Sequence, residues 1–561
     1  MRMHSVHQAF RASAARTPQA EFLYADAVTA RTYGIPQRAW HWGEADAEVE
    51  RLRAAYERAG WGHGHRVGLL LENRPAFLLH WFALNALGVS VVPINADMRS
   101  AELTYLIGHS EIGLAVTLPE RAADLLAAAR QAGRTLRTLD VGDVSDVGEV
   151  GGGDRAAVDS AGADPFPSPP SLPPRAGEPV GLATECALLY TSGTTGRPKG
   201  CMLSNDYFVR AGQWYAGLDE LCTVRRDRER VITPLPLTHV NAMAFSTMVV
   251  LVAGGCLIQL DRFHPKSWWQ SVRDSGATIV HYLGVMPAML LAAPPSADDR
   301  EHQVRIGFGA GVDRKNHAPF EQRFGFPLLE AWAMTETGAA ACVMANREPR
   351  HVGSSCFGRA EPFMDYRLVD DDGRDVEVGT PGELLVRSTG KDPRRYFFSG
   401  YLKDEAATQE AWAGGWFHTG DIVRSDADGN LYFVDRKKNV IRRSGENISA
   451  VEVESVLNQH PAVKSAAVAA TPDPVRGDEV LACVVTHEPV ADADRAALAA
   501  SIVEHALAQL AYYKAPGYVA FVEALPLTVS QKIQRGELKQ MAHELPGREC
   551  CVDVRSMKRR G

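Results

Sequence analysis

The amino-acid sequence predicts an α/β protein: a large N-terminal domain of mixed, mostly parallel sheets with flanking helices and a β-rich subdomain, then a small α+β C-terminal domain. Three observations predict it. Apolar strand-like runs alternate with amphipathic helical segments over most of the chain, short strands with turn residues take over after about Asp371, and a separate helix and strand pattern begins beyond Lys438. At 561 residues the chain also exceeds the roughly 250–300 residues at which one hydrophobic core stops growing. The expected division is 1–437, with about 365–437 as the β-rich part, and 438–561.

The elements follow in order. Residues 43–60 have apolar spacing suited to an amphipathic helix, and RVGLLLE (Arg66 to Glu72) reads as a buried strand. A helix through FLLHWFALNALG and the strand SVVPIN come next. Residues 142–181 are rich in Gly, Ala, Asp, Ser and Pro, too poor in large apolar groups to pack, and are expected to form a long exposed loop. Ala242 to Leu260 is nearly long enough to span a bilayer, but Gly254-Gly255 divides it, so a helix ending at glycine and a short buried strand are expected. YRLVDDDGRDV, GELLVRS and GNLYFVD supply the short strands. The last unit reads as helix 450–461, strands 463–473 and 479–487, helix 495–510 and strand 518–526.

Composition narrows the function classes. Hydrophobic residues at 45%, charged residues at 23% and a net charge of -8 describe an ordinary globular chain without a nucleic-acid footprint. The basic run Lys558, Arg559, Arg560 is expected to be solvated. Nine cysteines without C-x-x-C spacing indicate neither a disulfide framework nor a zinc site, and the N-terminus lacks a secretory core, so a reducing, cytoplasmic setting is expected.

The strongest local signal is YTSGTTGRPKG, Tyr190 to Gly200. Its glycines let the backbone approach phosphate, its hydroxyls and amides can donate to phosphate oxygens, and Lys199 adds positive charge. It is not a Walker A loop, because Arg-Pro separates Gly196 from Lys199. A strand, ALLYT, feeds it.

This string resembles the phosphate-loop signature of the acyl-adenylate-forming, or AMP-binding, superfamily. The resemblance continues in the family's order through PLPLTHVNA (Pro234 to Ala242), GFGAG (Gly307 to Gly311), EAWAMTETG (Glu330 to Gly338), GGWFHTGD (Gly414 to Asp421), DRKKNVIRRSGENIS (Asp435 to Ser449) and PLTVSQKIQR (Pro526 to Arg535). Within the superfamily, RRSGENIS, YYKAP and TVSQKIQR look closest to the bacterial branch containing carnitine and crotonobetaine CoA ligases.

The resemblance implies an acyl-CoA ligase that uses ATP, Mg²⁺ and coenzyme A on a small carboxylic acid. Attack of a carboxylate on the α-phosphorus of ATP gathers negative charge, so cations and amide donors are needed. By resemblance, Thr191, Ser192, Gly193, Thr194, Thr195 and Gly196 hold the β- and γ-phosphates, with Lys199 also at the nucleotide, Thr335 holds the α-phosphate, and Glu336 the Mg²⁺. Trp332 would stack on adenine, with Gly309, Ala310 and Gly311 as the opposing wall and Glu330, Ala331, Ala333 and Met334 lining the site. Asp421 would accept the ribose hydroxyls and Arg436 would contact the ribose.

Lys532 is the expected adenylation catalyst, although Gln531 stands where the family usually has glycine. The small C-terminal domain would turn about a hinge at Lys438, after which Ser444 and Gly445 line the pantetheine tunnel, with Arg442 and Asn447 contacting the nucleotide or acyl group. His239 matches a gate beside the acyl pocket, whose wall would include Asn241, Phe245, Gly284, Met286, Ala333, Met334 and Ala339. None of these is a cation that could pair with a second carboxylate, so a largely apolar monocarboxylic acid is expected, and a quaternary-ammonium acid stays open. Two other readings stand: an enzyme loading a carrier protein in trans, and a nonenzymatic nucleotide-binding paralogue. No nucleic-acid or membrane partner is expected, and a homodimer is left open.

Overall fold

The structure is a computed structural model and describes residues 3–141, 166–169, 179–191, 198–443, 446–473, 477–510, 512–527 and 532–558, without the side chains of 438, 442, 446 and 447. The chain divides into two compact units, Met1–Asp365 with Val386–Phe417, and Tyr366–Leu385 with His418–Gly561.

The first unit is built on two sheets of the kind that helix and strand alternation predicts. One has eight strands in the order Val343–Met344, Leu328–Trp332, Ile306–Ala310, Ile279–Leu283, Arg230–Thr233, Cys256–Gln259, Glu21–Tyr24 and Ala39–His41. Its six inner strands are parallel and its two edges antiparallel. The other has seven, in the order Gly400–Tyr401, Lys199–Ser204, Glu185–Thr191, Ser90–Pro93, Arg66–Leu70, Leu114–Thr117 and Arg137–Asp140. Arg66–Leu70 sits centrally because its apolar run suits burial on both faces. There a Cβ on Gly68 would lie only 2.8 Å from Ile112 Cδ1. The helix Pro75–Ala86 starts with proline at its first turn and is apolar on nearly every side, as expected of a helix packed all round.

Two expectations are met with added detail. The amphipathic helix runs Trp42–Arg58, and Glu44 closes its start by accepting the His41 backbone N–H at 2.8 Å. The segment from Ala242 does break at the glycines: helix Thr247–Ala253 ends, Gly254 and Gly255 take φ of 81° and 110°, and strand Cys256–Gln259 follows. A Cβ on Gly255 would meet the Glu229 carbonyl oxygen at 2.3 Å, so only glycine turns this corner. Among the described residues no helix is long and apolar enough to cross a membrane.

Two expectations are corrected. Most of 142–181 lies outside the described residues, but Phe166 is buried edge-on against Tyr56 and Trp61 Nε1 donates to the Pro167 carbonyl at 2.7 Å. Phe166 is buried here because the Tyr56 ring offers it an aromatic seat. Lys558 is not solvated either: its ammonium pairs with Glu479, both side chains being 0% exposed. Arg559 and Arg560 lie outside the described residues.

The strands Asn430–Arg436, Phe417–Ser425, Gly382–Ser388 and Met364–Val369, most of whose residues belong to the second unit, run side by side. A further sheet orders Glu446–Ser449, Val440–Arg443, Gly477–Thr486, Tyr518–Phe521 and Cys551–Asp553, with Val463–Asp473 also paired to Gly477–Thr486. Helices Ala450–Leu457 and Arg495–Leu507 contribute Val453, Leu457, Ile502 and Val503 to its apolar core.

Candidate active site

The hairpin of Glu185–Thr191 and Lys199–Ser204 pairs Thr191 with Lys199, so it holds both at the mouth of the glycine-rich string. Ser192, Gly193, Thr194, Thr195 and Gly196 lie outside the described residues. From this mouth a chain of contacts leads to Glu336. Thr191 Oγ1 lies 3.9 Å from Cys201 Sγ, and the Lys199 ammonium sits 4.8 Å from the centre of the Tyr401 ring. Tyr401, paired across the strand edge with Cys201, donates its hydroxyl proton to Glu336 Oε1 at 3.0 Å. One tyrosine therefore carries the ammonium on its face and the carboxylate at its tip.

The protonation states follow from burial. Desolvation, reinforced by the Glu336 charge, pushes both the Cys201 thiol and the Tyr401 hydroxyl up, so both remain donors. Glu336 is 7% exposed, and its backbone carbonyl accepts from Phe398 N at 2.9 Å. The Tyr207 hydroxyl donates to the Thr335 carbonyl at 2.9 Å, which fixes the preceding peptide. Gly338 closes the turn at φ 48°, where a Cβ would meet the Tyr207 ring at 2.4 Å. No group of three or more His, Cys, Asp or Glu side chains among the described residues could hold a metal ion. Glu336 is a hard oxygen donor of the kind that suits Mg²⁺.

The GFGAG string ends strand Ile306–Ala310, and ligands of open parallel sheets bind beyond such carboxyl ends. Gly309 is needed because a Cβ there would lie 2.3 Å from the Tyr282 carbonyl oxygen. Ala310 and Gly311 are exposed, with Gly311 at φ 77°. Glu330 holds this corner from below: its buried carboxylate accepts Gly311 N at 2.9 Å and Val312 N at 2.8 Å, while burial pushes its pKa up. Its place in the site is therefore to shape the glycine turn. Trp332, two residues on, is 6% exposed and stacks with Phe357 at 6.1 Å. Ala331, Ala333, Met334 and Thr335 are half-buried beside it.

The expected acyl wall is less uniform. His239 is exposed and Asn241 half-buried, opening a π-helical turn, Asn241–Ser246. Phe245 is buried 5.8 Å from the Trp214 ring. Gly284 leaves no room for a side chain, since a Cβ would fall 1.6 Å from the Gly311 carbonyl oxygen. Met286 packs among Trp268, Phe320 and Phe326, and Ala339 is fully buried.

In the second unit Asp421 pairs across the strands with Arg436, whose Nε lies 2.6 Å from Oδ1. Asp421 is 1% exposed, so this carboxylate is preorganised beside a cation. Lys532 reaches solvent, and partial desolvation with the like charge of Arg436 lowers its pKa. Lys438 lies in the turn Lys437–Asn439, beside Lys437, which pairs with Glu383 at 2.7 Å. Arg442 and Asn447 face each other in the hairpin register, while their side chains, and Ser444 and Gly445 altogether, lie outside the described residues.

The sequence pattern of the AMP-binding enzymes matches residues 10–402, and that of the AMP-binding enzyme C-terminal domain matches residues 452–532. The chain belongs to the AMP-binding enzyme family. It is an AMP-forming ligase of the acyl-CoA synthetase type. A crotonobetaine/carnitine–CoA ligase of Escherichia coli O45:K1 is 28% identical over 501 residues, covering 88% of this chain and 92% of that protein. The fold is shared with anthranilate CoA ligase AuaEII in complex with anthranoyl-AMP, with a TM-score of 0.79, 21% identity and 97% and 98% of the two chains covered. It is also shared with ATP-bound MatB from Rhodopseudomonas palustris, with a TM-score of 0.77, 23% identity and 97% and 100% covered.

In this AMP-binding enzyme the structure brings together Thr191, Lys199 and Glu336, and separately Gly309, Gly311 and Glu330. Sequence reasoning missed Tyr401, Cys201 and Tyr207, which make the first of these groupings. Tyr401 stands 65 positions from Glu336, in a two-residue strand with no periodic signal.

Proposed function

We propose that this ligase activates a small to medium, largely apolar monocarboxylic acid with ATP and Mg²⁺, and then transfers the acyl group from AMP to the thiol of coenzyme A. The observation that carries the reading is the Tyr401 bridge between Lys199 and Glu336, which assembles a cation, a carboxylate and hydroxyl donors at the mouth of a glycine-rich loop. The name of the Escherichia coli relative supports CoA as acceptor, and the AMP-binding family supports ATP.

The acid's carboxylate attacks the α-phosphorus, pyrophosphate leaves, and the mixed anhydride is then opened by the thiol with AMP as leaving group. Lys199 and the loop amides offset phosphate charge, Thr335 donates to the α-phosphate, and Glu336 would hold Mg²⁺, which would supply positive charge against the developing negative charge. Asp421 accepts the ribose hydroxyls; Lys532 bridges the attacking carboxylate and the α-phosphate. Lys438 is proposed as the hinge between the two half-reactions, and Gly445 as the narrow wall for pantetheine.

Lys532→Ala tests the scheme. Adenylation, read as acid-dependent pyrophosphate release, is expected to fall about 10²–10³-fold, the worth of one preorganised donor, while thioester synthesis from a supplied acyl-adenylate continues. Equal loss of both steps would remove Lys532 from this role. Running the wild-type enzyme with free coenzyme A and with a pantetheinylated carrier protein separates the proposed acceptor from loading in trans, and ATP binding without pyrophosphate release from any acid would make the chain a nonenzymatic paralogue.

A further inference from the structure

A buried polar network lies directly behind Asn241. His281, on strand Ile279–Leu283, is 0% exposed and stacked on Phe308 at 4.7 Å. Its Nδ1 lies 2.7 Å from Asn241 Oδ1 and 2.9 Å from Ser246 Oγ, and its Nε2 lies 3.1 Å from the Tyr215 hydroxyl. The proton positions can be worked out. Asn241 Oδ1 can only accept, so the hydrogen on that contact belongs to Nδ1, and the Ser246 hydroxyl proton goes instead to the Asn241 backbone carbonyl at 3.3 Å. Ser246 therefore turns a lone pair toward Nδ1, and Asn241 Oδ1 turns another, so Nδ1 carries the hydrogen and Nε2 accepts from Tyr215. Burial lowers the His281 pKa to about 3, which keeps the ring neutral and this tautomer in place through the physiological range.

The consequence falls on Asn241. With Oδ1 committed to His281, its two amide N–H groups point away from the network, and they have no partner among the described residues. The π-helical turn sets this residue, half-buried, between exposed His239 and buried Phe245. A donor in that position is costly to cover with hydrocarbon and favourable to cover with oxygen.

We propose that Asn241, held by His281, presents its amide donors to the acyl chain, so that the acid this enzyme activates carries a hydroxyl, ether or keto oxygen in place of a bare hydrocarbon tail. The proposal rests on the ligase reading and on Asn241 lining the acyl pocket. Asn241 is then a specificity residue and His281 a positioning residue.

The test uses the full-length enzyme and monocarboxylic acids of equal heavy-atom count, with an ether, keto or hydroxyl oxygen at successive chain positions, beside their all-carbon counterparts. The readout is the ratio of kcat/KM for oxygenated over all-carbon acid in pyrophosphate release. At the best position the wild-type ratio is expected to reach about tenfold or more, Asn241→Leu to bring it below one, and His281→Leu to bring it near one. Acids turned over at a ratio of one or less at every position, or an unchanged ratio in Asn241→Leu, would overturn this inference and leave the ligase reading standing. No pyrophosphate release with any acid would overturn both. Should His281→Leu not fold, the wild-type ratio and Asn241→Leu decide the matter.

Discussion

Two buried glutamates, one in each compact unit, show how burial alone fails to tell a carboxylate with neutral partners from one saturated by cations. Glu336 is 7% exposed and accepts from the Tyr401 hydroxyl, with the Cys201 thiol against it, both neutral donors. Glu479 is 0% exposed and saturated by cations, with Arg443 Nε at 2.8 Å from one oxygen and Lys558 Nζ at 2.5 Å from the other, beside the Val480 N–H. A buried carboxylate without a cation has charge left to share with one that arrives; a carboxylate already bracketed by two has none. Glu330 is the intermediate case, satisfied by two backbone N–H groups and turned to shaping Gly311.

The sharpest way to break this contrast is Glu479→Gln. It leaves Arg443 and Lys558 facing each other across a neutral amide in a buried site, and removing one partner of a buried ion pair typically costs about 3–5 kcal/mol. Amide hydrogen exchange across Val440–Arg443 and Gly477–Thr486 should accelerate accordingly, because both strands hang on this group. Unchanged protection would mean that the charges are solvated and the contrast is false.

Glu336→Gln probes the other side. The amide oxygen can still accept from Tyr401, so the thermal midpoint is expected to stay within about 1 °C, a change on the order of 1 kcal/mol or less in a unit of this size. Mg²⁺-dependent pyrophosphate release is expected to fall about 10²–10³-fold. Retained activity, or an unfolding shift as large as that of Glu479→Gln, would place Glu336 among the structural carboxylates.

The difference between these sites also explains what the sequence could disclose. The phosphate-loop string, GFGAG and EAWAMTETG are contiguous, and a glycine that must let Tyr282 or Tyr207 pass is visible as a glycine at a fixed place in a string. The alternation of helices and strands likewise follows from apolar periodicity. Tyr401 could not be read, because its role comes from the register Tyr401 to Cys201, and nothing in SGYL announces that pairing. The π-helical turn at Asn241 was equally hidden, since it adds one residue to a turn of ordinary helical composition. Lys558 was misread for the opposite reason: a basic run has a simple solvated explanation, and only the fold brings a buried carboxylate to it.

Lys558→Met gives the smallest expected effect and the finest discrimination. Two cations on one carboxylate leave the buried group with a net positive charge, and removing Lys558 leaves Arg443 and Glu479 as a neutral pair. Methionine fills much of the lysine stem's volume, so the loss reduces to one charge-assisted hydrogen bond at Glu479 Oε1, about 1.5–3 kcal/mol, offset in part by the desolvation no longer required of the ammonium. Destabilisation should therefore be clearly below that of Glu479→Gln when both are measured by exchange in Gly477–Thr486. If Lys558→Met matched or exceeded it, the lysine rather than the glutamate would be the centre of the cluster, and Arg443 would have to be held by groups other than Glu479.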